Sequence, residues 1–156
     1  MMHRGADAPR RGYYFDLEIF AKNHAKNQAT TTPAVSVLYS LDVQLDRMLE
    51  EGMEARWARH QRMAKRSWKW VDEMRDRGVG LRVMAPEGYR SPAVTAVVTP
   101  DGLTGPDVTS RLAERGWVVG GGYGKLKPTT FRIGHMGDHT EDELEGLLEV
   151  LTEALT

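Results

Sequence analysis

After Gly80 the hydrophobic period of the chain changes, and that change fixes the order in which helices and strands can be laid down. Before it, apolar residues recur at helical intervals. Val35, Leu38, Leu41, Leu45 and Met48 keep the three-and-four spacing of a helix that ends at Gly52. A second helix, from about Met53 to Arg77, places Trp57, His60, Ala64, Trp68 and Val71 on one stripe and is closed by Gly78. After Gly80 the pattern is that of strands. Leu81 to Met84 is one, and Ala93 to Val98, rich in β-branched residues, is another. Thr104, Pro106 and Asp107 supply a capping oxygen, an early proline and a first-turn acid for a short helix that runs through Arg115 and stops at Gly116. Trp117 to Val119 is predicted as a strand, the glycine run Gly120 to Gly124 as irregular backbone, and Phe131 to Gly134 as a brief strand. Thr140 and Glu143 form a capping box ahead of a C-terminal helix carrying Leu144, Leu147, Leu148 and Leu151.

This order predicts an α+β arrangement: a small mixed or antiparallel sheet with helices on one face, preceded by two long helices. Upstream, Tyr13 to Asn27 reads as a short, weakly amphipathic helix, followed by a hydroxyl-rich loop that Pro33 prevents from continuing it. A chain of 156 residues fits one domain. Residues 1–12 read as a flexible arm or the stump of something longer, 13–77 as a helical segment and 78–156 as the α+β part. A content of 40% hydrophobic and 28% charged residues suits a globular protein, and a net charge of −1 provides no whole-chain attraction for nucleic acid or anionic membrane. The absence of cysteine excludes disulfides, thiolate nucleophiles and cysteine-ligated zinc, and suits a cytoplasmic protein. No run approaches the ~20 apolar residues of a spanning helix.

Several segments in sequence order carry a resemblance. Tyr14-Phe15-Asp16-Leu17, Thr32-Pro33-Ala34-Val35-Ser36 and Glu50 to His60 come first. Ser91 to Ala96 follows, then Gly121 to Lys127 leading into Phe131-Arg132-Ile133-Gly134-His135-Met136-Gly137. Together they resemble the C-terminal part of the class V, pyridoxal-phosphate-dependent aminotransferases, particularly the alanine-glyoxylate and serine-pyruvate branch. The resemblance implies the C-terminal small domain of the fold type I architecture, which has an α/β parent, in a homodimer. It also implies amino-group transfer between an amino acid and a 2-oxo acid with pyridoxal 5'-phosphate as cofactor.

Residue by residue, the resemblance assigns the substrate α-carboxylate to Arg132. An arginine on a short strand beside a glycine loop can offer its planar fork bidentately to such a group. It assigns the cofactor phosphate of a neighbouring subunit to Thr31 or Thr32, with Gln28 as a further donor, where some members have a tyrosine. The Schiff-base lysine, the acid that pairs with the pyridine nitrogen and the stacking aromatic lie upstream of the matching region in the family. No catalytic residue is therefore assigned here, Lys125 and Lys127 are not expected to anchor the cofactor, and the chain is expected to be inactive alone.

The same residues admit other readings. The threonines could cap the helix after Pro33, which is compatible with phosphate binding at a helix N-terminus. The glycine run is neither a Walker A loop, since Val119 and Leu126 stand at the required Gly and Ser/Thr positions, nor a Gly-x-Gly-x-x-Gly fingerprint. His135 and His139 are four apart, but Gly137 between them opposes a helical metal pair, so no metal is expected. His60 reads as a packed or capped histidine. Arg56, Arg59, Arg62, Lys65, Arg66 and Lys69, interleaved with Trp57, Trp68 and Trp70, would be the face of a rival nucleic-acid-binding module. A non-catalytic interaction or dimerisation domain is the other alternative. Neither nucleic acid nor membrane is the expected partner.

Overall fold

The structure, a computed structural model, describes residues 12–156, so most of the arm expected over residues 1–12 lies outside them. The chain divides into two compact units, one ending at Glu50 and one beginning at Glu51.

In the first unit, α1 spans Leu17–His24, with Asp16 at its N-cap accepting from the Glu18 amide at 3.0 Å. Its far end turns through Asn27, whose φ of 54° is a left-handed value that asparagine tolerates better than most side chains. The Gln28 amide then returns to the Asn23 carbonyl at 3.0 Å. Thr30 is tied back to this helix: its hydroxyl accepts from Asn23 Nδ2 at 3.2 Å and its carbonyl from the Tyr13 hydroxyl at 3.3 Å. After Pro33, α2 spans Val35–Glu51 and stops where Gly52 takes a φ of 81°. None of the helix is buried, and Val35, Leu38, Leu41 and Leu45 all stand exposed.

The second unit holds the core. Helix α3, Met53–Asp76, is followed by β1 (Arg82–Val83), β2 (Val94–Val98), α4 (Gly105–Ala113), β3 (Gly120–Gly121), a 3-10 turn at Gly124–Leu126, β4 (Thr130–Gly134) and α5 (Glu141–Leu155). The strands form one sheet in the order β1-β2-β4-β3, with every pair antiparallel. Register places Val97 opposite Phe131 and Thr95 opposite Ile133, so these four share the face that the helices cover. Met63, Trp70, Val71 and Met74 of α3, Val108 and Leu112 of α4, and Leu144, Leu147, Leu148 and Leu151 of α5 complete the core. On the other face, Val94, Ala96, Val98, Arg132 and Gly134 remain wholly or partly open. This is the expected α+β domain, with the sheet antiparallel. Both capping boxes form: Thr104 with Asp107, and Thr140 with Glu143.

Two expectations need correction. Trp117–Val119 is not a strand; the ladder falls on Gly120 and Gly121, which pair with Arg132 and Phe131. Trp117 and Val119 do turn inward while Val118 is 89% exposed, so the alternation read from the sequence is real. It has no partner strand, and pairing is decided by where β4 runs. The inward face of α3 is also rotated from the predicted stripe. Ala64 and Val71 are buried as expected, but Trp57 is 60% exposed and the buried line runs Arg56, Met63, Ser67, Trp70, Met74. The rotation is possible because Arg56, a charged residue on that line, is fully paired, donating to Glu51 Oε2 at 2.8 Å and to Asp138 Oδ1 at 2.7 Å.

Candidate substrate and cofactor site

Arg132 occupies the middle of β4, on the open face of the sheet. Its cross-strand neighbours there are Ala96 on β2 and Gly120 on β3. Alternation along β4 requires this placement: Phe131 and Ile133 point into the core, so Arg132 must point out. The guanidinium is not left to wander. Its Nε donates to the Gly121 carbonyl at 2.8 Å, and it makes no other hydrogen bond or ion pair with the described residues. One edge of the guanidinium is thus fixed by backbone, while both terminal nitrogens remain available to an incoming carboxylate.

The strand's exit is held just as firmly. His135 is fully buried, with Nδ1 donating to the Pro92 carbonyl at 3.1 Å and Nε2 accepting from the Thr95 hydroxyl at 2.9 Å. Trp68 Nε1 in turn donates to Thr95 Oγ1 at 3.0 Å, joining α3, β2 and the end of β4. Burial lowers the pKa of His135, keeping the imidazole neutral with both nitrogens engaged, so it cannot serve as a metal ligand here. His139 is exposed and lies 3.3 Å from Glu143. His60 donates through Nε2 to the Gly137 carbonyl at 3.2 Å, as a packed histidine would.

The turn after Gly134 is clamped to the start of α3. Arg59 donates through Nε and Nη2 to both Glu51 oxygens, at 2.7 and 2.8 Å, and also reaches the carbonyls of Gly137 and His139. Hydrogen bonding from Arg59, aided by Arg56, holds the Glu51 carboxyl at about 2 against an ordinary value of 4.5. Further along α3, Arg62 meets Glu141 at 2.7 Å and Arg66 meets Glu145 at 2.6 Å. Of the basic face considered for nucleic acid, Arg62 and Arg66 therefore meet acids of α5, Arg56 and Arg59 meet Glu51, and Lys69 lies near Glu73 of its own helix.

The cofactor candidates lie in the first unit. Gln28 and Thr31 line a shallow concavity of about 280 Å³ together with Phe20, His24 and Pro33; Thr32 is exposed beside it. Thr30 is committed to Asn23, whereas the side chains of Thr31, Thr32 and Gln28 make no hydrogen bond with the described residues. No threonine hydroxyl caps α2. Two hydroxyls and an amide without side-chain hydrogen-bond partners among the described residues, next to a helix start, match the donor requirements of a phosphate. Lys125 and Lys127 sit exposed on and just after the 3-10 turn. Gly120 is not among the site residues expected from the sequence, where it stands only as the first member of the glycine run beside the Arg132 strand.

No protein-family model matches the chain. Its relatives include several aminotransferases, together with two proteins named as soluble hydrogenase subunits. It is 37% identical over 146 residues to an uncharacterized aminotransferase of Methanocaldococcus jannaschii, covering 92% of this chain and 37% of that protein. It is 43% identical over 108 residues to the pyridoxamine–pyruvate transaminase of Mesorhizobium japonicum, covering 68% and 26%. Among solved structures, the alanine–glyoxylate aminotransferase of Nostoc sp. superposes with a TM-score of 0.79 at 27% identity, over 96% of this chain and 39% of that one. The fold and these relatives define an aminotransferase small domain. The chain belongs to the class V aminotransferases, alongside the alanine–glyoxylate, serine–glyoxylate and pyridoxamine–pyruvate enzymes. It spans about a quarter to two fifths of the length of the proteins it matches.

Proposed function

We propose that this chain is the C-terminal part of a pyridoxal-phosphate-dependent aminotransferase acting on an amino acid and a 2-oxo acid, such as alanine or serine with glyoxylate or pyruvate. Arg132 binds the α-carboxylate common to both substrates. Gln28 and Thr31 or Thr32 hold the cofactor phosphate, for a neighbouring subunit in a homodimer. The observation that carries this reading is Arg132 itself: an arginine fixed through Nε on the open sheet face, with two terminal nitrogens uncommitted.

Pyridoxal phosphate, when bound, supplies the electron sink for amino transfer. This chain's own residues do the rest that geometry allows. Arg132 fixes the carboxylate in one plane, which restricts the orientation of the carbon bearing the amino or oxo group. The His135–Thr95–Trp68 chain and the Glu51–Arg56–Arg59 clamp keep β4 and its exit turn in place, so that the fork does not shift with the strand. We assign the lysine that anchors the cofactor to residues outside this chain.

Two measurements test the reading. Titrating the chain with pyruvate should move the Arg132 Nε–H signal in a ¹H–¹⁵N spectrum, while the neutral amide pyruvamide should not. R132A should abolish the carboxylate-dependent response at neighbouring Gly120 and Gly121 amides; an undiminished response would remove Arg132 from the site. Pyridoxal phosphate followed by borohydride should give no lysine-specific adduct on this chain alone, and labelling confined to one lysine would overturn the assignment of the anchor elsewhere.

A further inference from the structure

We propose that Gly120 is a positioning residue for substrate carboxylate binding: the absence of a side chain there is what lets the Arg132 guanidinium lie flat against β3 and present its fork. The inference rests on Arg132 being the carboxylate ligand and adds the residue that sets its direction. Three observations converge on it. Register puts Ala96, Arg132 and Gly120 in one row across the sheet, on the open face. The Arg132 Nε bond to the Gly121 carbonyl draws the guanidinium over β3, which it can reach only by passing across Gly120. A Cβ built on Gly120 would stand 3.3 Å from Arg132 Nε and 3.4 Å from both its Nη2 and its Cβ. A Cβ at this position would therefore press on the guanidinium, which would have to give by a few tenths of an ångström.

The backbone gives no other reason for glycine at 120, since its φ is not among the left-handed values found at Gly116 or Gly124. Gly121 next to it has open space where a Cβ would go. Glycine is a poor strand former, yet both residues of β3 are glycine, and of the two only Gly120 has a side chain within contact distance of where its Cβ would stand. A bidentate interaction depends on both the direction and the distance of the fork, so a displacement of the guanidinium weakens it even though the charge remains.

The experiment compares wild type, G120A, R132A and the G120A/R132A double variant. In G120A the Arg132 Nε–H is expected to lose the protection from solvent exchange that its bond to Gly121 confers, and the pyruvate-dependent response to weaken about five- to tenfold, as for a lost charge-assisted bond. In a double-mutant cycle, alanine at 120 should lower the thermal midpoint in the wild-type background and lose most of that effect once Arg132 is truncated. This stability readout is independent of substrate. Equal destabilisation by G120A with and without the Arg132 side chain, or an unshifted Arg132 Nε–H in G120A, would overturn the proposal. If the cycle shows coupling but wild-type protein and R132A respond alike to pyruvate, the positioning contact stands while Arg132 is not the carboxylate ligand.

Discussion

Single glycines in this domain differ in what they tolerate, and the differences are set by distances. At Gly105 a Cβ would come within 2.1 Å of the Thr130 carbonyl oxygen, and at Gly122 within 2.3 Å of Thr130 Oγ1 and 2.5 Å of the Leu126 carbonyl. Both contacts include backbone, which cannot rotate away. Both also cluster on Thr130, whose hydroxyl donates to Leu126 O at 2.7 Å and fixes the turn that leads into β4. G105A and G122A are each expected to cost about 2–3 kcal/mol, the upper part of the usual range for overpacking. G121A, with nothing near its Cβ, should be neutral or stabilise by up to ~1 kcal/mol through a stiffer unfolded chain. Urea midpoints of the three variants, measured with a common m-value, check the ranking. A G122A midpoint equal to that of G121A would contradict it.

At the scale of elements, what was legible in the sequence followed from local chemistry, and what was not followed from pairing. The starts of α4 and α5 could be read because a capping box is a property of four consecutive residues. The open-face position of Arg132 was not, since it depends on β4 pairing with β2 and β3 in one register. The Glu51–Arg56–Arg59 clamp was equally invisible, as it joins the end of α2 and the start of α3 to a turn about eighty residues away. Its titration offers a test. The Glu51 carboxyl is held at about 2 when folded, whereas 4.5 is its ordinary value, so the unfolded chain binds more protons between those values. Stability from the clamp is therefore complete above about pH 4.5 and is lost as pH falls toward 2. In E51Q this titration is gone. The difference in unfolding midpoint between wild type and E51Q should be largest at pH 6 and shrink steadily below pH 4.5; a gap that stays constant down to pH 3 would show that the carboxylate is not the stabilising species.

Across the whole chain, burial is distributed unevenly between the two units. Every member of the core cluster falls between Met63 and Leu151, in the second unit, while no residue of α1 or α2 is buried. Helix α2 carries its apolar residues exposed: Val37, Tyr39 and Leu49 at 65–75%, and Leu41 and Leu45 at 44–50%. An isolated helix of 17 residues is only marginally stable in water without a packed face, because nucleation costs entropy that local hydrogen bonds scarcely recover. The second unit, by contrast, combines a four-stranded sheet with three packed helices, and its amides can open only with the core. Hydrogen exchange on this chain should therefore show two populations. Amides of α2 from Leu38 to Met48 are expected to exchange close to the rates of unstructured peptide, and those of Thr95, Val97, Phe131, Ile133 and Leu148 only through global unfolding. Addition of denaturant should accelerate the second group in proportion to the global m-value and leave the first almost unchanged. Protection of α2 equal to that of the sheet would mean that its apolar face is covered in solution, and dilution would then tell whether a second copy of the chain covers it, since protection supplied by another molecule falls with concentration.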